Sequence, residues 1–445
     1  MAEYPQADGQ LDYKRVLPVV IIVLVDMIGL SIIIPLLPLY AARYGANAFL
    51  TGVLGATYPF MQFIGAPVLG RLSDRWGRRP VLLISQAGTF AGFILLAIAR
   101  SLPVIFLARI VDGISGANIS TAQAVISDLT TEKTRTQGLG LIGAAFGLGF
   151  ILGPILGFVV LSLTHQSYVA VALTAAGFSF LSILLTFFML PETRPSALDV
   201  RRQAPFTLQA LFTTLQRPAI GLLLILMFIQ QLAFGGYEHM FSLFTLSRLG
   251  LSARDNSALF IYLGLLIVII QGGLIGRWSR RHGDRWLVWM GFLALAMGLI
   301  LTAATPQVPV PWYDPVGLRE ELAANSNHPL RIGIPEGGHK GWIGILWLIL
   351  ASVPVALGGG VLQPSINSLI TQHIEASETG GILGVSSALL SAANAIAPVL
   401  YGAIFQTFGA PAPFMWSGLL LLVLWPVVFF RFRNMRPLVH QRGLK

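Results

Sequence analysis

Long apolar runs dominate this chain, separated by short polar clusters rich in Gly, Pro and Arg. A helix needs about 20 apolar residues to cross the roughly 30 Å hydrocarbon core of a bilayer. Twelve runs reach that length: 16–40, 50–69, 81–99, 103–127, 138–163, 167–190, 219–247, 256–276, 286–304, 342–370, 380–404 and 410–430. The pattern predicts an all-α membrane protein with twelve transmembrane helices. Pro35, Pro38, Pro154, Pro354 and Pro398 fall inside these runs. Spanning helices tolerate such residues where neighbours re-satisfy the freed carbonyls. Residues 1–15 are polar, and the run after Lys14-Arg15 is too long for a signal-peptide core, so it reads as a retained first span.

Composition supports the membrane assignment. Of 445 residues, 55% are hydrophobic and 11% charged, against about 25% charged in a soluble domain. A disordered chain, a disulfide scaffold and an ordinary soluble enzyme are excluded. There is no cysteine, which excludes thiol redox chemistry and thiolate metal sites.

A net charge of +10 would suggest nucleic acid in a soluble protein. Here the placement of the charges decides otherwise. With the N-terminus inside, 21 of the 29 Lys and Arg fall in inner segments, seven fall outside, and Arg109 lies within a span. This asymmetry fits the positive-inside rule with both termini cytoplasmic. No nucleic-acid partner is expected.

The longest inner polar stretch, 191–218, separates six spans from six and reads as a cytoplasmic linker. It divides an N-terminal six-helix bundle (1–190) from a C-terminal one (219–431), followed by a cytoplasmic tail (432–445). The halves echo each other. Gly70-Arg-Leu-Ser-Asp-Arg-Trp-Gly77 follows span 2, and Gly276-Arg-Trp-Ser-Arg-Arg-His-Gly283 follows span 8, 206 residues later. Gly153-Pro154 in span 5 has a weaker echo in Ala397-Pro398 of span 11. Paired six-helix repeats with a site at their seam are a transporter architecture. The outer segment 305–341 holds LREELAAN, which suits a short amphipathic helix. The segment reads either as a mobile surface loop or as a lid, and the sequence leaves both open.

Ionisable groups inside spans are costly and mark functional positions. Asp26, Arg109, Asp112, Glu238 and His239 are such groups, and Arg109 and Asp112 share a helix face at i, i+3. A low-dielectric cavity makes any carboxylate hold a proton more readily. A cationic substrate competing for the same carboxylate would then displace that proton. The bland alternative is a buried ion-pair lattice that fixes the bundle. Glu238 follows Gly235-Gly236, where span 7 can unwind. Candidate cavity residues are Tyr58, Gln62, Asn118, Gln123, Gln230, Gln231, Tyr237, Gln363, Asn367 and Asn394. Polar residues of this kind also join helices to one another. Apolar walls with few amides and one or two acids suit lipophilic molecules, cationic ones among them.

The loop GRLSDRWGRRP (70–80) is the most specific motif. Gly70 and Gly77 permit a tight turn. Asp74 stands four residues before Arg78, and with Arg79 these charges are placed to pin helix ends in one conformation and release them in another.

GRLSDRWGRR resembles the signature between spans 2 and 3 of the major facilitator superfamily. LARIVDGISGA (107–117), GLGFILGPILG (147–157) and VDMIGLSIIIPLLP (25–38) are similar to motifs of its twelve-span drug:proton antiporter branch, especially the tetracycline-efflux group. The resemblance implies two pseudo-symmetric six-helix bundles and action as a monomer. It implies that Asp74, Arg78 and Asp128 hold an inner gate and that Arg109 sits in the proton-coupling region. It further implies that Gly147, Gly153, Pro154 and Gly157 form the bending, closely packed face of span 5. The chain departs from the tetracycline group in lacking any acid or histidine in spans 8 and 9, and in placing Asp112 where that group has a small residue.

No GxxxxGK[ST], GxSxG or HExxH pattern occurs, so ATP-driven transport and membrane-enzyme chemistry are not expected, and no cofactor or metal is called for. The expected function is a proton-coupled antiporter of the plasma (inner) membrane that exports lipophilic small molecules. Its partners would be a small-molecule substrate, protons and membrane lipids. The rival is a proton-coupled importer or a uniporter on the same scaffold.

Overall fold

The computed structural model describes residues 11–116, 118–131, 134–193, 213–323, 331–336, 338–374 and 379–434. Most of the expected linker 191–218 and of the tail 432–445 lies outside the described residues, as does the side chain of Asn118. Among the described residues all regular structure is helical. In chain order the helices are α1 (Tyr13–Ser31), α2 (Leu37–Arg43), α3 (Ala48–Trp76), α4 (Arg78–Ala97) and α5 (Leu102–Ser115). Next come α6 (Asn118–Leu129), α7 (Arg135–Leu163), α8 (Tyr168–Met189), α9 (Pro218–Leu249) and α10 (Ala253–His282). The last are α11 (Asp284–Ala303), α12 (Pro315–Ala323), α13 (Ile343–Gln372), α14 (Thr379–Phe408) and α15 (Ala412–Asn434).

Ten of these helices are long and apolar enough to cross a membrane. The other two expected spans are interrupted. Run 16–40 breaks between α1 and α2, where Pro35 and Pro38 remove donors and disfavour a helix before them. The Ser242 hydroxyl donates to the carbonyl of Pro35 at 2.8 Å, so the break leaves that oxygen satisfied. Run 103–127 breaks after Ser115. The freed carbonyls of Ser115 and Gly116 accept from the Ser85 hydroxyl and from the Gln62 amide, the latter at 2.6 Å. Both repairs follow from the cost of an unpaired backbone group in hydrocarbon.

The chain divides into two compact units. The first comprises Met1–Ile34 and Phe60–Arg201, the second Pro35–Pro59 and Arg202–Lys445. In the first unit α7 lies close against α1. A Cβ at Gly149 would lie 2.6 Å from that of Met27, and one at Gly153 would lie 2.7 Å from the backbone nitrogen of Ile32 and collide with the Ser31 hydroxyl. That hydroxyl donates to the Gly149 carbonyl at 2.7 Å. Gly147, by contrast, faces open space. Gly153→Ala is therefore expected to lower stability by about 1–3 kcal/mol through overpacking, and Gly147→Ala to change it by less than about 0.5 kcal/mol. Thermal unfolding of the two variants in detergent checks the contrast.

In the second unit α9 is a continuous 32-residue helix that does not unwind at Gly235-Gly236. Those glycines make room for neighbours instead. A Cβ at Gly235 would meet the Asn394 amide at 3.0 Å, and one at Gly236 would collide with the Tyr401 ring. A π-helical turn interrupts α10 at Ile270–Leu274, where the Gln271 amide donates to the Gly360 carbonyl at 3.2 Å.

The described part of 305–341 carries a helix and tertiary hydrogen bonds. Val310 and Gly341 donate backbone N–H groups to Leu249 and Pro309. Tyr313, 2% exposed, packs over Gly250 and donates to the Pro335 carbonyl at 2.7 Å. The expected short helix is α12, anchored by buried Leu318 and Leu322.

Candidate functional site

Three polar clusters interrupt the apolar packing. The first is buried in the first unit. Arg109 and Asp112 form an ion pair at 2.8 Å across one turn of α5, 6% and 1% exposed. The approach of α4 is what encloses them, because a Cβ at Gly92 would come within 2.8 Å of the Asp112 Cβ. Asp26 is buried in the same unit, on α1. Charges enclosed this thoroughly in apolar surroundings persist only when paired.

The second cluster ties helix ends together around Arg78, at the start of α4. Its guanidinium donates to Asp74 at 2.6 Å, to Ser73 at 2.6 Å and to Asp128 at 2.9 Å. Its backbone N–H donates to Glu192 at 2.8 Å. One side chain thus joins the ends of α3, α4 and α6, and the backbone bond adds the segment after α8. Gly77 is required here. Its φ of +105° is unfavourable for any side chain, and a Cβ would lie 2.5 Å from the Glu192 carboxylate. Arg79 lies over the Phe187 ring at 5.2 Å and donates to the Phe187 carbonyl. Gly70 faces open space. Of the expected gate residues, the structure brings Asp74, Arg78 and Asp128 into one network. Sequence reading missed Ser73 and Glu192, and only the proximity of Glu192 to the end of span 6 hinted at it.

The third cluster lies in the second unit on α9. Gln231 donates to Asn394 at 2.8 Å, and the His239 imidazole bonds to the Gly235 carbonyl at 2.8 Å. Gln231 and Glu238 are seven residues apart, two helical turns, so Glu238 shares their face and is half-buried. Gln230 and Asn367 each keep a buried side-chain oxygen without a hydrogen bond among the described residues. Tyr237 is 2% exposed, with its ring 4.9 Å from Phe241 and 5.9 Å from Phe414 in an aromatic core. Gln363 and Gln123 are exposed, Tyr58 is half-buried, and Gln62 holds the break after α5. Pro154 and Gly157 are buried in α7.

The arrangement offers two buried carboxylates and a charge-clamped set of helix ends in the first unit, and a half-buried carboxylate in the second. A sequence model described as Major Facilitator Superfamily matches residues 19–317. The chain is 27% identical over 414 residues to the class H tetracycline resistance protein of Pasteurella multocida, covering 92% of each chain. It is 29% identical over 392 residues to the class B tetracycline resistance protein of Escherichia coli, covering 87% of each. Its fold is similar to the crystal structure of the human organic anion transporter MFSD10 (TETRAN). That match has a TM-score of 0.58 and 23% identity, and covers 94% of this chain and 99% of the other.

Proposed function

The chain belongs to the major facilitator superfamily, and on that premise we infer that it is a proton-coupled antiporter exporting lipophilic, cationic small molecules. It is an integral membrane transporter and not an enzyme. The observation that carries the coupling is the Arg109–Asp112 pair, a charge couple enclosed by α4 and α5. The tetracycline resistance relatives support export of drug-like molecules.

Glu238 is the cation-binding carboxylate in this reading. It holds a proton or the positive group of the substrate, and arrival of one displaces the other. Asp26 and the Arg109–Asp112 pair pass the proton. The acids are exposed to each side of the membrane in turn. We count twelve crossings in two six-helix halves, the ten long helices being completed by the interrupted pairs α1–α2 and α5–α6. Both termini are cytoplasmic, because 21 of 29 Lys and Arg then lie inside.

Accumulation of a lipophilic cation such as tetraphenylphosphonium, in cells without their own drug pumps, tests the assignment. The wild-type chain is expected to lower accumulation, and a protonophore to restore it. Glu238→Gln is expected to bring accumulation to the level of cells lacking the chain. Export by that variant at the wild-type rate would remove Glu238 from the mechanism.

A further inference from the structure

The two halves treat the same loop with opposite charge. Across the 206-residue repeat, Ser73 corresponds to Ser279 and Gly77 to Gly283, but Asp74 corresponds to Arg280 and Arg78 to Asp284. The backbone is retained, since both glycines have positive φ (+105° and +82°). The side-chain bond is retained too, with Arg78 bonded to Ser73 and Asp284 to Ser279. The inversion alters the charge balance. In the first half Arg78 is neutralised by Asp74 and Asp128. In the second half the Asp284 carboxylate accepts from Ser279, Ser368 and Gln372, which are neutral donors. Arg277, Arg280 and Arg281 are all exposed, and none of them forms an ion pair among the described residues.

These cations border a run of aromatic rings. His282 stacks on Trp286 at 4.5 Å. Trp278 lies 6.4 Å from Trp286, and Trp286 lies 6.0 Å from Trp289. Trp289 in turn lies 6.2 Å from Trp425, whose indole donates to the Trp289 carbonyl at 3.0 Å. Indoles gather at the depth of lipid headgroups, where one face of the ring is apolar and the edge is wet. Uncompensated arginines beside them present forked donors that match phosphate oxygens.

We propose that the end of the second unit formed by Arg277, Arg280 and Arg281 with Trp278 and Trp286 is a binding site for the headgroup of an anionic phospholipid. The arginines take the phosphate, and the indoles bound the headgroup and its first methylenes. The first half carries exposed Arg71 and Arg75 at the positions of Arg277 and Arg281, but has the acid Asp74 in place of Arg280. The inference rests on membrane embedding alone and does not depend on what is transported or in which direction.

The test is lipid retention by the full-length detergent-purified protein, with phosphatidylglycerol and phosphatidylcholine offered in competition. Each cation near an anionic surface contributes roughly a fivefold preference. Replacing Arg277, Arg280 and Arg281 together by Gln is therefore expected to lower the preference for phosphatidylglycerol about a hundredfold. The triple Lys variant is expected to keep most of it, and Arg319→Gln with Arg331→Gln to keep all of it. An undiminished preference in the triple Gln variant would overturn the proposal, and so would equal competition by soluble glycerophosphate. A second measurement leaves the charges untouched. Phosphatidylglycerol with brominated chains is expected to quench tryptophan fluorescence more than its phosphatidylcholine counterpart. Trp278→Phe with Trp286→Phe should remove that excess. Excess quenching that survives in this variant would place the lipid elsewhere.

Discussion

Asp112→Asn is expected to reduce proton-driven export to the background of empty vesicles and to lower the stability of the protein at the same time. Both effects have one source. Arg109 is 6% exposed, and Asp112 holds it at 2.8 Å. Removing the acid takes the Asp112 charge from a guanidinium enclosed by α4 and α5, which costs about 3–5 kcal/mol. A loss of transport alone would not separate misfolding from uncoupling, but the double variant Arg109→Gln with Asp112→Asn does. With both charges removed, the desolvation penalty disappears and thermal stability in detergent should return to within about 1 kcal/mol of wild type. Proton-driven export should not return, because no group at this position can exchange a proton. Recovery of both would make the pair a structural lattice and nothing more.

Arg78→Ala is expected to lower the transport rate more than about tenfold, since it removes three charge-assisted hydrogen bonds of about 1.5–3 kcal/mol each before solvent exposure is discounted. The Asp74 side chain is 59% exposed, so its bond contributes the least, and the bonds to Ser73 and Asp128 carry most of the effect. Arg78→Lys tests the geometry separately from the charge. A single ammonium cannot present two separate nitrogens to Ser73, Asp74 and Asp128 in the fixed fork that Arg78 uses, so rescue should be partial. Initial rates of export from energised vesicles, corrected for the amount of folded protein, distinguish the three forms. A lysine variant at the full wild-type rate would show that only the positive charge matters.

Ten of the expected spans were legible because each apolar run answers to one physical requirement, the thickness of a bilayer. The break between α1 and α2 could be read from Pro35 and Pro38, which act on their own backbone. The break after Ser115 could not, because it is stabilised by Gln62 and Ser85, residues that lie 54 and 30 positions away in sequence from the carbonyls they serve. The same limit applies to the site. The i, i+3 spacing disclosed Arg109–Asp112, and the loop motif disclosed Asp74 and Arg78. Glu192 reads in sequence as part of a linker, and only folding brings it to the Arg78 backbone, 114 residues away. Gly235-Gly236 shows the reverse error. Two glycines read as a place to unwind, yet they exist to admit Asn394 and Tyr401 against an unbroken helix. Asp284 was within reach of the sequence through its 206-residue offset from Arg78, as a mismatched position between two similar loops.

Counting protons against cations tests the central claim most directly. The purified protein is placed in liposomes containing a pH indicator, and a lipophilic cation is added at zero membrane potential. Antiport predicts that protons leave as the cation enters, in a fixed ratio. It also predicts that the movement is absent with Glu238→Gln and with the Arg109→Gln, Asp112→Asn pair. Cation entry at the wild-type rate with no change in internal pH would contradict the account.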